Sequence, residues 1–215
     1  MGKSKKYIQE FNPDVELLNI GEHQDFLAGF DCGHEAFNSF IQKEAVTFHE
    51  DGNGVTHLVF NTLFDENNTE KKELVGYYTL AASGIPCTSR IKLYEEDIVD
   101  GKEYDEQEES ISVIEIKMFA VDLKYQDTFF RYEKENKPVS AYIMNYIVSH
   151  ISDIIENIVA AKMIYLQAVD KKTSDFYSRN EFHCMQEFMH PIQGNDDGMI
   201  PMYMTLKPIK ILYEL

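Results

Sequence analysis

The sequence predicts an α/β fold in which a mixed sheet carries helices on both faces. Two apolar stretches, Ile111 to Asp122 and Lys162 to Asp170, flank a segment with helical spacing. A strand, a crossover helix and a strand of these lengths are expected to form a right-handed parallel unit. Earlier in the chain, two strands joined by a short polar turn indicate antiparallel pairing. The sheet is therefore predicted to be mixed and mostly antiparallel, with one parallel strand–helix–strand unit.

Length and composition indicate one globular domain that spans residues 1–215. Of the 215 residues 44% are hydrophobic, and no run approaches the roughly 18 apolar residues of a membrane span. The start, Met1 to Tyr7, is basic, but no apolar region follows it, so the expected location is the cytoplasm. Cys32, Cys87 and Cys184 are isolated and odd in number, which favours buried or half-buried thiols over a zinc site.

The charge of the chain is strongly acidic. Twenty Lys+Arg against 37 Asp+Glu give a net charge of −17. Nine acidic residues and one lysine lie between Glu95 and Glu109, and we interpret this run as a solvated surface loop. That segment contributes −8 to the net charge, so the rest of the chain still carries a net charge of −9. An acidic domain repels phosphate backbones unless it gathers a local basic patch, so nucleic-acid binding is disfavoured.

The first half of the chain predicts a strand, a helix and a hairpin. The strand is expected from Val15 to Ile20 and is ended by Gly21. The helix ends near His49, and its apolar stripe is made of Phe37, Phe40, Ile41 and Ala45. Two strands then follow, Val55 to Leu63 and Glu73 to Ala82, joined by a polar turn. They are expected to form an antiparallel hairpin.

The central unit begins with the strand that ends at Asp122, which is rich in β-branched residues and is predicted to be buried. A polar loop from Leu123 to Lys137 follows. Pro138 suits the first turn of a helix, where no backbone donor is missed. The predicted helix has an apolar stripe at 3- and 4-residue spacing, made of Ile143, Ile147, Ile151, Ile154 and Ile158.

The last part of the chain predicts shorter elements. A short helix is expected from Lys171 to Arg179 and a strand from Phe182 to Phe188. A loop that holds Gly194 and Gly198 follows, and Ile200 to Lys207 is predicted to be the last strand.

Four short motifs lie along these elements in a fixed order. They are Phe30 to Glu35 before the helix, Gly76 to Leu80 in a strand, Phe119 to Gln126 at the end of the central strand, and Phe176 to Phe182. Together they resemble the GNAT superfamily of N-acetyltransferases. More narrowly, the chain is similar to the branch that includes the acetyltransferase toxins of bacterial toxin–antitoxin pairs. The resemblance covers nearly the whole chain, from Val15 to Leu206.

The resemblance implies acetyl-CoA as the donor and an amine as the acceptor. In that family a bulge at the end of the central strand leaves backbone groups free to bind the pantetheine arm and polarise the thioester carbonyl. Here the corresponding residues are Met118, Phe119, Ala120 and Val121. From the residues alone, a plain core strand explains this segment equally well.

The family's phosphate loop has no full counterpart here. Gln126 matches its first position, but no glycine follows before Lys137. In one alternative, the pyrophosphate meets the start of the Pro138 helix, where the amides of Val139, Ser140 and Ala141 act with Arg131, Lys134 or Lys137. In the other, CoA binding is weakened or lost. Glu181 stands where the family pattern has a glycine, which implies an altered turn.

Two side chains are candidates for the chemistry. The resemblance places Tyr177 where a hydroxyl near the thioester sulfur serves as general acid for the departing thiolate; the alternative is a packed aromatic residue at a helix end. Glu115 alternates with Ile114 and Ile116 and is a candidate base for the amine proton, directly or through water. A glutamate flanked by apolar residues on a strand is equally often a solvent-facing residue or a paired residue. The histidines show no pairing typical of a metal site or a triad, so no metal is expected.

Two classes of function stay open. The first is an N-acetyltransferase that acts on a primary amine of a small molecule, peptide or protein, or on aminoacyl-tRNA as a toxin does. The charge of the chain favours a cationic small amine or a peptide over tRNA. The second is a CoA-binding or interaction module without turnover, which the missing glycines favour. An antitoxin or a second copy of the chain is a candidate partner, and no membrane is expected.

Overall fold

A computed structural model describes residues 6–64, 67, 69–92, 104–132, 134–185 and 198–206, with the backbone alone for residues 87–92 and 104–109. The strands are β1 (Lys6–Ile8), β2 (Pro13–Leu17), β3 (Val55–Phe64), β4 (Glu70–Lys92), β5 (Tyr104–Val121), β6 (Thr128–Tyr132), β7 (Glu135–Pro138), β8 (Met163–Ala168), β9 (His183–Cys184) and β10 (Ile200–Met204). The helices are α1 (Ile20–Ala28), α2 (Glu35–Ser39), a π-helical segment (Phe40–Glu44), α3 (Ala45–Glu50), α4 (Val139–Asn157) and α5 (Lys171–Arg179).

The chain forms two compact units. One contains residues Met1–Ala81 and Ile116–Ser152, and the other contains Ala82–Glu115 and Asp153–Leu215. Strands β4 and β5 and helix α4 each continue from one unit into the other. The single domain expected for residues 1–215 stays a prediction.

The strands of the described residues belong to two sheets. The larger has the order β2-β3-β4-β5-β8-β10-β9, and the smaller has the order β1-β6-β7. Strand β5 is the fourth of seven, so the prediction of a buried central strand is confirmed. Strands β3 and β4 pair antiparallel, as predicted, and β1 pairs parallel with β6. The mixed α/β class is confirmed.

The first strand and helix differ from their prediction. Strand β2 ends at Leu17, and Gly21 lies inside α1 instead of ending the strand. The side chain of Asn19 accepts a hydrogen bond from the Gly21 amide at 3.1 Å, which caps α1 and stops the strand early. Only two residues of α1 are buried, His23 and Leu27, so no apolar stripe marked this helix.

The predicted helix up to His49 is confirmed, with an irregularity in its middle. Helices α2 and α3 are joined through the π-helical segment, in which the Ala45 amide bonds to the Phe40 carbonyl. Phe40, Ile41 and Ala45 are buried, as the stripe predicts. They lie in the core of the first unit with Leu58, Phe60, Tyr77 and Ala120.

The polar loop predicted between Leu123 and Lys137 is wrong, because most of this segment forms the hairpin of β6 and β7. Phe129 pairs with Pro138, and Tyr132 pairs with Glu135. Phe130 is buried against the rings of Phe11 and Tyr142, with centroids 5.0 and 5.3 Å away. Charged residues next to these aromatics hid the strand pattern. The short strand β1 extends the hairpin on its other side.

Helix α4 confirms the long crossover helix, with changes at both ends. Pro138 is the last residue of β7, and the helix begins at Val139. Ile143, Ile147 and Ile151 are buried, as predicted. The stripe does not extend to Ile158, which follows the helix end at Asn157 and is 80% exposed.

The second unit contains β8, α5, β9 and β10. Strand β8 confirms the second apolar stretch, and α5 has the predicted bounds because Asp170 caps it by accepting the Thr173 amide at 2.7 Å. The core of the second unit includes Ile85, Val113, Met163, Tyr165 and Met185. Strand β9 holds only two residues of its predicted span, because Phe182 before it and Met185 after it are not in a strand. Residues 186–188, Gly194, Lys207 and residues 95–103 of the acidic run lie outside the described residues. Residues 104–109 of that run belong to β5, so the surface loop predicted there is wrong. None of the described helices is long and apolar enough to cross a membrane.

Candidate active site

The end of β5 lies unusually close to β4 in the first unit. A Cβ atom added to Gly76 of β4 would meet the Ala120 carbonyl oxygen at 2.5 Å, a distance that only glycine permits. Ala120 and Val121 are buried, whereas Met118 and Phe119 are half-buried. Just after the strand, the Asp122 amide donates to the Val75 carbonyl at 2.8 Å. This strand end is therefore held tightly, and the predicted cofactor segment lies on it.

A buried carboxylate follows the strand. Asp122 is 3% exposed, and its two oxygens accept different backbone amides. Oδ2 accepts the Asp31 amide at 3.1 Å, and Oδ1 accepts the Lys124 amide at 2.9 Å. The Leu123 amide donates back to the Asp31 carbonyl at 2.8 Å. The segment before α2 is thereby attached to the end of β5.

The attached segment, residues 31–34, is ordered by its own polar groups. Asp31 Oδ1 accepts the Gly33 amide and the Asn38 side-chain amide, both at 2.8 Å, and these bonds lower the pKa of the carboxyl group. Gly33 has φ +79°, a left-handed conformation that suits glycine. The thiol of Cys32 donates to Asn38 Oδ1 at 3.1 Å, and burial raises its pKa, so Cys32 stays a thiol at neutral pH.

Gln126 connects the same two segments. Its side-chain amide nitrogen donates to the Val121 carbonyl at 2.8 Å and to the Cys32 carbonyl at 2.9 Å. Its backbone amide donates to the Asp122 carbonyl. The side chain of this predicted phosphate residue thus holds the end of β5. A role of Gln126 in cofactor binding stays a prediction.

The hairpin carries three of the predicted cations. Arg131 and Lys134 are exposed, and Lys137 places Nζ 4.6 Å from the centre of the Tyr132 ring. Tyr132, Lys134, Glu135 and Lys137 line an open surface depression of about 640 Å³. Across the described parts of the chain, none of these three basic groups makes an ion pair. They are available to an anion.

The start of α4 follows the hairpin directly. Val139 is buried, Ser140 and Ala141 are half-buried, and the first turn contains no acidic residue. The first amides of a 19-residue helix lack intrahelical partners and attract negative charge. The predicted binding of phosphate here is not tested.

Tyr177 belongs to the second unit, on the last turns of α5. Its ring is 5% exposed and contacts the rings of Phe176 and Phe182, with centroids 5.4 and 5.7 Å away. Burial raises the pKa of its hydroxyl well above the usual value. Within the described residues, that hydroxyl makes no hydrogen bond. The ring is packed, as a structural role requires, and the catalytic role of its hydroxyl stays a prediction.

Glu115 also lies in the second unit, on β5. It is 7% exposed and sits among the buried residues Val113, Ile114 and Ile116. The solvent-facing alternative is therefore excluded. Glu115 interacts with a partner group. Its role as a base stays a prediction.

The sequence did not point to Asp122 or Asn38 as organising residues. Asp122 and Asp31 each lie within a recognised motif, but their contact spans 91 residues and left no local pattern. Among the described residues, no group of three or more His, Cys, Asp or Glu side chains is placed to hold a metal ion.

No protein family and no curated protein matches the sequence. Solved structures similar to this chain at probability 1.00 include the following three. A bacterial toxin is 18% identical, with 91% of this chain and 92% of that chain covered and a TM-score of 0.60. AtaT complexed with acetyl-methionyl-tRNAfMet is 20% identical, with coverage of 94% and 99% and a TM-score of 0.58. A tyrosine-to-phenylalanine mutant of AtaT, bound to acetyl-CoA and the C-terminus of the antitoxin AtaR, is 17% identical, with coverage of 95% and 99% and a TM-score of 0.57.

The chain shares the fold of these toxins. The similarity to the toxin branch, predicted from four motifs, is thus confirmed for the fold along nearly the whole length of both chains.

Proposed function

We propose that the protein is an N-acetyltransferase that moves the acetyl group of acetyl-CoA to a primary amine of a small molecule, peptide or protein. Tyr177 carries the proposal. Its ring is buried, while its hydroxyl makes no hydrogen bond in the described part of the chain. Its raised pKa keeps it protonated at neutral pH, as a proton donor to a departing thiolate must be. The shared fold with a toxin bound to acetyl-CoA supports this reading.

Acetyl-CoA is the proposed co-substrate, with its thioester along Met118, Phe119, Ala120 and Val121. Its pyrophosphate meets the amides of Val139, Ser140 and Ala141 at the start of α4. The absence of an acidic residue from that first turn and the unpaired cations of the hairpin, Lys137 foremost, support this position. Gln126 contributes by fixing the Val121 carbonyl at the strand end.

The proposed reaction is a direct transfer. The amine attacks the thioester carbonyl, and the tetrahedral intermediate expels the thiolate of CoA. Tyr177 gives its proton or a strong hydrogen bond to that sulfur, and Glu115 receives the amine proton, directly or through water. The Cys32 thiol is held protonated by its surroundings, so it does not compete as an acetyl acceptor.

A second candidate function is transfer to the amino group of an aminoacyl-tRNA, as a toxin. AtaT has been solved with acetyl-methionyl-tRNAfMet, and the sheet β1-β6-β7 carries exposed cations and aromatics in an otherwise acidic chain. Lys6, Arg131 and Lys134 are exposed there, and Tyr7 is 57% exposed. An antitoxin is the proposed partner in this case, since AtaT is also bound by the C-terminus of AtaR. A homodimer is the alternative assembly.

One experiment tests the proposal and separates it from a module without turnover. CoA binding is measured by calorimetry, and thiol release from acetyl-CoA is then followed with a lysine-bearing hexapeptide and with methionyl-tRNA as acceptors. Binding with amine-dependent thiol release supports the enzyme, and the acceptor that accelerates release chooses between the two functions. Binding without release identifies the non-catalytic module. No binding at millimolar CoA overturns both the enzyme and the non-catalytic CoA-binding module.

A further inference from the structure

We propose that Asp122 is a positioning residue for acyl transfer, which sets residues 31–34 as the acceptor side of the site. The inference rests on the proposed function, because it needs the thioester to lie along the end of β5. Asp122 itself touches neither substrate. It acts through the segment that it holds.

Asp122 is well suited to hold that segment. Asp122 is 3% exposed, whereas most other acidic residues in the described part of the chain are exposed, and each of its carboxylate oxygens has a separate backbone donor. One donor, the Lys124 amide, fixes the turn after β5. The other, the Asp31 amide, belongs to a residue 91 positions earlier in the chain. A buried carboxylate with two amide donors at separate oxygens is a rigid joint between two segments.

Residues 31–34 are held by several hydrogen bonds although they lie at the surface. Asp31, Gly33 and His34 are exposed, and Cys32 is half-buried. Bonds from Asp122, Leu123 and Gln126 hold the segment to β5, and Asn38 holds it from the other side. Binding and catalytic residues are disproportionately found on loops that a rigid scaffold holds in position. These hydrogen bonds hold residues 31–34 in that way, at the surface next to the predicted thioester position.

The exposed groups of this segment have a defined chemistry. Asp31 stays ionised, since the Gly33 and Asn38 donors lower its pKa, and only its Oδ1 is engaged by described residues. Its second oxygen is available to the ammonium group of an acceptor. Release of Asp122 would let Asp31 move, and a misplacement of about 1 Å costs on the order of 100-fold in transfer.

The test uses the full-length Asp122→Asn variant. An amide has one acceptor oxygen, so it keeps either the Asp31 or the Lys124 hydrogen bond and turns its NH₂ group toward the other donor. We expect faster hydrogen–deuterium exchange in residues 30–36 and an unchanged affinity for CoA. With a lysine-bearing hexapeptide or methionyl-tRNA as acceptor, whichever the wild type acetylates, KM for the acceptor is expected to rise about 10- to 100-fold. KM for acetyl-CoA and its slow hydrolysis without amine should not change.

Two further variants separate positioning from stability. Thr79→Val removes the buried hydrogen bond between Thr56 and Thr79, 2.8 Å long, in the same unit, and should lower Tm while the acceptor KM is kept. Asn38→Ala loosens residues 31–34 from their other side and should raise the acceptor KM as Asp122→Asn does, which covers the case in which the latter does not fold. An unchanged acceptor KM in a transferring enzyme overturns the positioning role alone. A wild type that acetylates neither probe overturns the proposed function and this role together.

Discussion

The hydroxyl of Tyr78 on β4 lies 2.9 Å from Nδ1 of His150 on α4, and the ring of His57 stacks on the same tyrosine. The His57 and Tyr78 centroids are 4.8 Å apart with an angle of 6° between the rings. His57 also meets the edge of His150, at 5.0 Å. Nδ1 of His57 is buried without a hydrogen-bond partner among the described residues. Burial first, and the neighbouring His150 second, lower the pKa of His57 to about 4.

This cluster predicts a loss of stability in mild acid. The folded-state pKa of His57 lies below the value of about 6.5 in the unfolded chain, so the unfolded state binds the proton first. The contribution of the neutral ring is fully present above pH of about 6.5 and is lost as the pH falls toward about 4. His57→Phe keeps the stacked ring and removes the titration. Urea unfolding at a series of pH values should show that stability depends less steeply on pH in the variant between pH of about 6.5 and about 4. Parallel curves for the two proteins would contradict this prediction.

Gly76→Ala should destabilise the protein by about 1–3 kcal/mol, because the new methyl group meets the Ala120 carbonyl oxygen at 2.5 Å and neither backbone moves easily. Gly21→Ala is the control. Its nearest atom is Asn19 Oδ1 at 3.5 Å, and alanine is the better helix former in α1, so the change should be neutral or stabilising. Thermal melts of both variants check the pair. A Gly76→Ala protein as stable as the control would show that β4 and β5 are farther apart than described.

Lys137→Gln should weaken CoA binding about 10- to 150-fold, because a charge-assisted bond to phosphate contributes about 1.5–3 kcal/mol. The loss should shrink at high salt, where exposed charges are screened. Lys43→Gln, an exposed lysine of the π-helical segment, is the matched control for net charge. Calorimetric titration with CoA at two salt concentrations gives the result. Equal affinities of the two variants would remove Lys137 from the phosphate site.

Tyr177→Phe should lower kcat by about 100- to 10,000-fold, the usual contribution of a general acid. The melting temperature should barely change, since the hydroxyl has no partner among the described residues. Tyr125→Phe is the control. Its hydroxyl donates to Glu73 at 2.8 Å, so its removal should cost about 1 kcal/mol of stability and leave activity intact. Steady-state kinetics and melts on the same preparations separate the two roles, and a fully active Tyr177→Phe enzyme would sink the catalytic one.

The elements that the sequence predicted well are those whose pattern is local. The stripe of α4 depends on residues three and four positions apart, and Ile143, Ile147 and Ile151 are buried as expected. Helix α5 has its predicted bounds, and its cap at Asp170 is also local. Helix α1 was missed because it buries a histidine and one leucine instead of an apolar stripe. The joint between Asp31 and Asp122 could not be predicted, because it depends on how the chain returns to the end of β5. Tyr177 became a candidate through the resemblance, and Glu115 became one through its position between Ile114 and Ile116 on a strand.

The π-helical segment decides which residue of its helix enters the core. In an uninterrupted α-helix Glu44 would lie on the buried face, because it is four positions after Phe40 and three positions after Ile41. The wider turn moves that place to Ala45, which is buried, while Glu44 is exposed. Deletion of Glu44 would leave the same apolar side chains in regular α-helical register. We therefore expect this helix to tolerate the loss of one residue within positions 42–44, whereas a single deletion in α2 or α3 would rotate its core face by about 100°.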